Sequence, residues 1–273
     1  MIRNVLSIAG SDPSGGAGIQ ADLKTFSACG VYGMAALTAL TAQNTRGVSG
    51  VQPVPPQFVA DQIAAIFADI RVDAVKIGMI ANAAIASAVA EILTRHRDVP
   101  VVLDPVMIAK GGAALLAADA VDVLTTQLLP LATVVTPNLP EAAALLHEPE
   151  ARSREDMARQ ALALSKLGPA AVLVKGGHLE SDESPDVLAS AGTITWFETD
   201  RLPTKNTHGT GCTLSSAIAA EIAKGLPLPE AVASAKDYLA QAVAAAGQLS
   251  VGSGHGPVQH FHALWADNEG VKR

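Results

Sequence analysis

A chain of 273 residues that is 49% hydrophobic can bury a sizeable core, and its formal net charge of −7, from 26 acidic against 19 basic residues, lacks the positive field with which nucleic-acid binders gather phosphates. Aromatic residues make up only 3%, so base stacking has little to work with, and no stretch reaches the roughly 18 uninterrupted apolar residues of a membrane helix. Cys29 and Cys212 lie too far apart in sequence for a disulfide framework, and the short opening apolar run is no secretory leader, so the expected compartment is the cytoplasm.

Taken in chain order, short β-branched runs alternate with longer Ala- and Leu-rich segments. Strands are predicted over residues 5–9, 34–40, 74–77, 101–103, 133–136 and 171–174. Helices are predicted over 17–28, 56–70, 83–95, 120–129 and 154–167, and later over 213–224 and 229–246. The rhythm breaks over 178–205, where a polar stretch (180–186) precedes a strand-like run (193–198), and antiparallel edge strands or a hairpin are expected there. This is a βαβ pattern: an α/β fold with a mostly parallel sheet and one domain spanning 1–273. Gly10, Gln43, Gly78, Asp104, Asn138 and Lys175 each follow a predicted strand closely, which places them along the carboxyl edge of the sheet, where open α/β folds bind ligands.

The first strand leads into Gly10-Ser11-Asp12-Pro13-Ser14-Gly15-Gly16-Ala17-Gly18, whose glycines either let backbone approach a ligand or make a tight turn. Residues 16–21 fit a loose dinucleotide fingerprint, but residues 34–43 hold no acid for a ribose, and no G-x-x-x-x-G-K-[ST] occurs. A stronger signal is Asn206-Thr207-His208-Gly209-Thr210-Gly211-Cys212 at a helix start, where consecutive N–H groups form an anion hole for a phosphoryl group. Cys212 there is either a base whose thiolate the helix dipole favours near neutral pH, or a small buried hydrophobe. Asn138 and Glu141 suit either a helix cap or hydrated Mg²⁺. Lys175, before Gly176-Gly177, can pair with phosphates or simply end a strand. Asp104, at the end of a buried run, calls for a partner, a metal or a loop to cap. Gln43 offers an amide donor and acceptor together, as an aminopyrimidine edge requires. His255, His260 and His262 near the end lack a cysteine or carboxylate cluster and are read as packing or surface residues rather than metal ligands.

Together these motifs closely resemble the hydroxymethylpyrimidine/phosphomethylpyrimidine kinase family of the ribokinase-like superfamily, over residues 3–265. The resemblance rests on the 9–22 loop and on Thr38-Ala39-Leu40-Thr41-Ala42-Gln43-Asn44-Thr45, Lys76-Ile77-Gly78-Met79, Asp104-Pro105-Val106-Met107, Thr136-Pro137-Asn138 with Glu141, Lys175-Gly176-Gly177-His178 and Thr207-His208-Gly209-Thr210-Gly211-Cys212-Thr213. It implies a three-layer αβα fold, a homodimer, and a kinase that uses ATP and Mg²⁺ to phosphorylate hydroxymethylpyrimidine and then its monophosphate. By the same resemblance Gly10, Asp22, Gln43, Met79 and Val106 surround the pyrimidine. Lys175, Thr207 and Asn138 meet the nucleotide, Glu141 and Asp104 serve Mg²⁺, and Gly209, Thr210, Gly211 and Cys212 form the anion hole, with Cys212 where the wider superfamily has an aspartate base. Pyridoxine or pyridoxal kinase activity, a non-catalytic pyrimidine-binding protein and a nicotinamide-dependent oxidoreductase are the other readings.

Overall fold

The computed structural model describes residues 1–107, 120–179 and 183–265. The polar stretch at 180–186 therefore lies partly outside the described residues. The chain runs β1 (Asn4–Ala9), α1 (Gly18–Ala28), β2 (Tyr32–Leu37), β3 (Ala39–Asn44), β4 (Gly47–Pro53), α2 (Pro56–Asp69), β5 (Ala74–Ile77), α3 (Ala83–Leu93), β6 (Val101–Leu103), α4 (Ala120–Val123), β7 (Val134–Val135), α5 (Leu139–Leu146), α6 (Arg154–Ser165), β8 (Ala171–Lys175), β9 (Asp186–Ser190), β10 (Thr193–Phe197), α7 (Thr210–Lys224) and α8 (Leu228–Ala244).

Among the described residues an eight-stranded sheet runs in the order β10-β9-β8-β7-β6-β5-β1-β2. From β2 to β8 the neighbours are parallel, and β9 and β10 close that edge as an antiparallel hairpin. Strand side chains alternate between two faces, and each face has its own core. Val5, Ala74, Val102 and Leu173 face α1, α7 and α8, while Leu6, Ile8, Val75, Ile77, Leu103 and Val174 face the layer of α2, α3, α5 and α6. The result is the expected three-layer α/β architecture with a mostly parallel sheet.

Three expectations change. The run predicted as one strand over 34–40 is two: at Thr38 the chain leaves the sheet, its N–H donating to the Ala9 carbonyl and its carbonyl accepting from Val54, and β3 then pairs only with β4. Gln43 consequently sits on this two-stranded ribbon beside a register shift, not on a loop behind a sheet strand. The helix predicted over 120–129 is regular only to Val123, continuing as a π turn (Leu124–Leu128) and a 3₁₀ turn (Leu129–Leu131) around Pro130, which has no N–H to donate. No helix among the described residues is long and apolar enough to cross a membrane.

One buried ion pair ties the hairpin to the functional edge. Lys236 Nζ on α8 lies 2.8 Å from Asp186 Oδ2 and donates to the Ser184 carbonyl, while Asp186 Oδ1 accepts the Gly176 N–H at 2.9 Å. Lys236→Ala would leave the carboxylate buried without its cation, and urea unfolding is expected to show a loss of about 3–5 kcal/mol. A loss below about 1 kcal/mol would mean that solvent reaches Asp186 instead.

Candidate functional site

Two glycine-rich turns from opposite ends of the chain meet at the carboxyl edge of the sheet. In the first, Gly18 has φ +56°, and a Cβ there would lie 2.3 Å from the Gly10 carbonyl oxygen, which accepts the Ile19 N–H. In the second, Gly209 has φ +79° and caps α7, and a Cβ on it would lie 1.8 Å from the Gly16 carbonyl oxygen. Glycine is therefore required where the turns touch. Beyond Gly209, the first turn of α7 lines the cleft with Thr210, Gly211 and Cys212; the Thr210 N–H donates to the Thr207 carbonyl at 3.4 Å, and the next amides stand at a helix N-terminus, where an anion is favoured.

Asp12 and His208 lock the turns together. Asp12 is buried and accepts from the Ser14 N–H and hydroxyl and from the Gly16 and Ala17 amides, and its Oδ2 lies 2.7 Å from His208 Nε2. Burial alone would raise the Asp12 carboxyl, but the hydrogen bonds from His208 and Ser14 outweigh it and hold the group at about 2. Gln43 Nε2 stands 3.4 Å from the same imidazole nitrogen.

A charged cluster lies beside this junction. Asp104, just past β6 and buried, accepts Lys175 Nζ at 2.8 Å and the Thr136 hydroxyl at 3.2 Å on Oδ1, and the Ser215 hydroxyl at 3.4 Å on Oδ2. Burial would raise its pKa, yet Lys175 and Lys76 hold it below the ordinary carboxylate value. Glu141 forms a capping box with Asn138: Asn138 N–H donates to Glu141 Oε2 at 2.8 Å, and Glu141 N–H donates to Asn138 Oδ1 at 2.9 Å. Burial and, secondarily, the nearby Asp104 charge push Glu141 up to about 7 against the pull of Lys175.

The cleft enclosing these groups has a volume of about 500 Å³, the size of a small-ligand site. Of the residues named from sequence, Gly10, Gln43, Met79, Asp104, Val106, Asn138, Glu141, Lys175, Thr207, Gly209, Thr210, Gly211 and Cys212 all line it. Asp22 does not. It is fully buried beneath the floor, where it accepts both Lys76 contacts and the Ser7 and Ser216 hydroxyls. Cys212 also departs from expectation. Desolvation, followed by the carboxylates of Asp22 and Asp104, outweighs Lys76 and the Gly18 amide and puts the thiol at about 11, so it is protonated at neutral pH. The helix start does not deliver a resting thiolate. Asp12, Lys76 and His208 belong to the motifs but carry no role of their own in the sequence pattern. For Lys76 the signal is a lysine inside an otherwise apolar strand, since lysine is almost never fully buried unless paired.

Residues 12–259 match the family model described as phosphomethylpyrimidine kinase. The hydroxymethylpyrimidine/phosphomethylpyrimidine kinase of Salmonella typhimurium is 54% identical over 262 residues, covering 96% of this chain and 98% of that protein. That of Rhizobium meliloti is 55% identical over 267 residues, covering 98% and 100%. A crystal structure of phosphomethylpyrimidine kinase from Clostridium difficile superposes with a TM-score of 0.79 at 43% identity, covering 88% of this chain and 99% of that one. The pyridoxal kinase of Staphylococcus aureus in complex with AMP-PCP and pyridoxal superposes with a TM-score of 0.89 at 36% identity, covering 97% and 96%.

Because Asp12 titrates below its unfolded value of 3.8, its charge contributes stability that is fully present above about pH 5 and is lost as pH falls toward 2. Urea titrations of wild type and Asp12→Asn should therefore show a stability difference that shrinks by about 1 kcal/mol between pH 6 and pH 3. A difference independent of pH would contradict the assigned role.

Proposed function

The chain belongs to the phosphomethylpyrimidine kinase family, and from that premise we propose that it uses ATP to phosphorylate hydroxymethylpyrimidine and then converts the monophosphate to the diphosphate, in thiamine diphosphate biosynthesis. The observation that carries this reading is one cleft in which a helix N-terminus, a lysine between two carboxylates and an amide-bearing apolar pocket stand together. Gln43 would read the aminopyrimidine edge, with Gly10, Met79 and Val106 packing the ring. A Cβ at Gly10 would meet Met79 Cε at 2.2 Å, so a larger residue at position 10 would push the Met79 side chain out of its present place on that wall. Lys175 would neutralise the nucleotide phosphates, with Thr207 and Asn138 on the same side. The amides from Gly209 to Cys212 would take up the charge that spreads over the transferred group.

The donor set suits Mg²⁺. Asp104 and Glu141 are hard oxygen ligands, and Glu141 holds a proton more tightly chiefly because it is buried and secondarily because of Asp104, a repulsion that a divalent cation relieves. No cluster of three or more His, Cys, Asp or Glu side chains placed to hold a metal occurs among the described residues, which fits an ion that takes one or two carboxylates and fills its shell with water and phosphate oxygens. Bound there, Mg²⁺ would supply charge neutralisation of the phosphates. We also assign one catalytic domain, a cytoplasmic location and a homodimer, the last supported by exposed Leu40 and Val51 on the β3–β4 ribbon and exposed Phe58 on α2.

The two transfers make different demands on Cys212. The hydroxymethyl oxygen must lose a proton, whereas the monophosphate acceptor is largely dianionic at neutral pH, since its second pKa is about 6. With a thiol at about 11, base catalysis by Cys212 makes the first transfer climb about tenfold per pH unit from pH 7 to pH 9, while the second stays flat. Cys212→Ala should slow the first transfer about 10²–10⁴-fold and the second by less than about tenfold, measured as ATP consumption on each acceptor separately. Equal losses on both acceptors would remove the base assignment. The structural likeness to pyridoxal kinase favours a second acceptor, pyridoxal, and the same assay with pyridoxal decides it.

A further inference from the structure

Beneath the cleft floor lies an ion pair that the reaction outlined above does not use. Lys76 and Asp22 have side chains with no solvent exposure, and Lys76 Nζ stands 2.8 and 2.9 Å from the two Asp22 oxygens. The Ser7 hydroxyl donates to Oδ2 at 2.6 Å and the Ser216 hydroxyl to Oδ1 at 2.7 Å. β1, α1, β5 and α7 thus contribute one group each. These positions share the face that Val5 and Ala74 make apolar, and an apolar pair of similar volume would often serve stability there as well or better. Two placements point to another use. Ser216 lies one helical turn beyond Cys212 on α7, and Lys76 borders the same cleft as Cys212. A Cβ at Gly78 would sit 2.8 Å from Lys76 Nζ, so the ammonium is walled in on that side.

We propose that Lys76 and Asp22 are positioning residues for Cys212, a sealed pair in which Lys76 keeps a permanent positive charge toward the sulfur and Asp22 anchors and tempers it. The groups facing the thiol are Lys76 from β5, Asp22 from α1, Asp104 beyond β6 and the Gly18 amide, with Lys175 at the end of β8 also interacting with it. Burial is the largest influence and keeps the thiol protonated; Lys76 is the next and opposes it, and Asp22 and Asp104 follow on the side of burial. Burial likewise works against the Lys76 charge, but Asp22 and the other neighbours overcome it, so the ammonium persists. The catalytic meaning rests on the kinase reading. In the first transfer the substrate O–H bond breaks and an S–H bond forms on Cys212, while the new P–O bond forms as the one to ADP breaks. The pair then sets the fraction of sulfur able to accept that proton.

The test is alkylation of Cys212 by iodoacetamide across pH, with no nucleotide or pyrimidine present, in a Cys29→Ala background that leaves one thiol. Lys76→Met should slow the reaction about tenfold at pH 8, and Asp22→Asn should accelerate it several-fold. Opposite signs are the mark of charge acting on the sulfur, since a merely structural pair would shift both variants the same way. If Lys76→Met does not fold, the uncharged double variant Lys76→Met/Asp22→Asn should still react more slowly than the parent, because Lys76 outweighs Asp22. Single variants that change together, or a double variant that reacts as fast as the parent, would overturn the proposal. That failure would leave the kinase reading intact, and equal losses on both acceptors in Cys212→Ala would remove the base role without touching the pair.

Discussion

The Gly16 carbonyl occupies the space that any side chain at position 209 would need, and that one backbone contact joins segments almost two hundred residues apart. Because both turns must be glycine at the contact, the start of α1 and the start of α7 are held edge to edge, and the cleft opens between them. Asp12 then satisfies four donors of the first turn and reaches across to His208 in the second. Each buried polar atom at this junction finds a partner, so the junction carries little of the desolvation penalty that an open polar loop would bear.

The electrostatics follow from the same crowding. An acidic chain has no long-range field to draw in a nucleotide, so positive charge must be provided where the phosphates go. On the proposed reading Lys175 provides it, and both Lys175 in the cleft and Lys76 beneath its floor are kept charged in a buried setting by carboxylates, Lys175 by Asp104 and then Glu141, Lys76 by Asp22. Glu141 differs: burial first, and the ionised Asp104 beside it second, push it up to about 7, where it is poised to trade its proton for a cation. The thiol of Cys212 sits between these two centres and responds to both.

Much of this was legible in the residues, and the limits were physical. The strands at 74–77 and 101–103 fall where their β-branched runs place them, because both faces of those strands are buried and, Lys76 apart, their residues are apolar. The break at Thr38 was not legible. The residues on either side look equally strand-like, and what ends β2 is a set of distant bonds, including the Thr38 hydroxyl to the Met79 carbonyl at 2.5 Å. The cleft residues follow from motif order, while Asp22 stands beside the pyrimidine by resemblance alone, with no reading of its own surroundings behind it. Only its three partners on β1, β5 and α7 show that it is sealed below the floor. Of the two readings open for Cys212, the resting thiolate fails for a related reason: sequence reveals the helix dipole but not the desolvation that exceeds it.

The central claim is that one cleft passes phosphoryl groups from ATP to hydroxymethylpyrimidine twice in succession. The most direct measurement is a ³¹P NMR time course of the purified protein with ATP, Mg²⁺ and hydroxymethylpyrimidine, followed by pyridoxal in the same tube. The account predicts a monoester resonance that rises and then gives way to a diphosphate pair as ADP accumulates, with pyridoxal phosphate slower to appear. Accumulation of pyridoxal phosphate with no pyrimidine phosphate, or ADP formed with no phosphorylated pyrimidine, would contradict it.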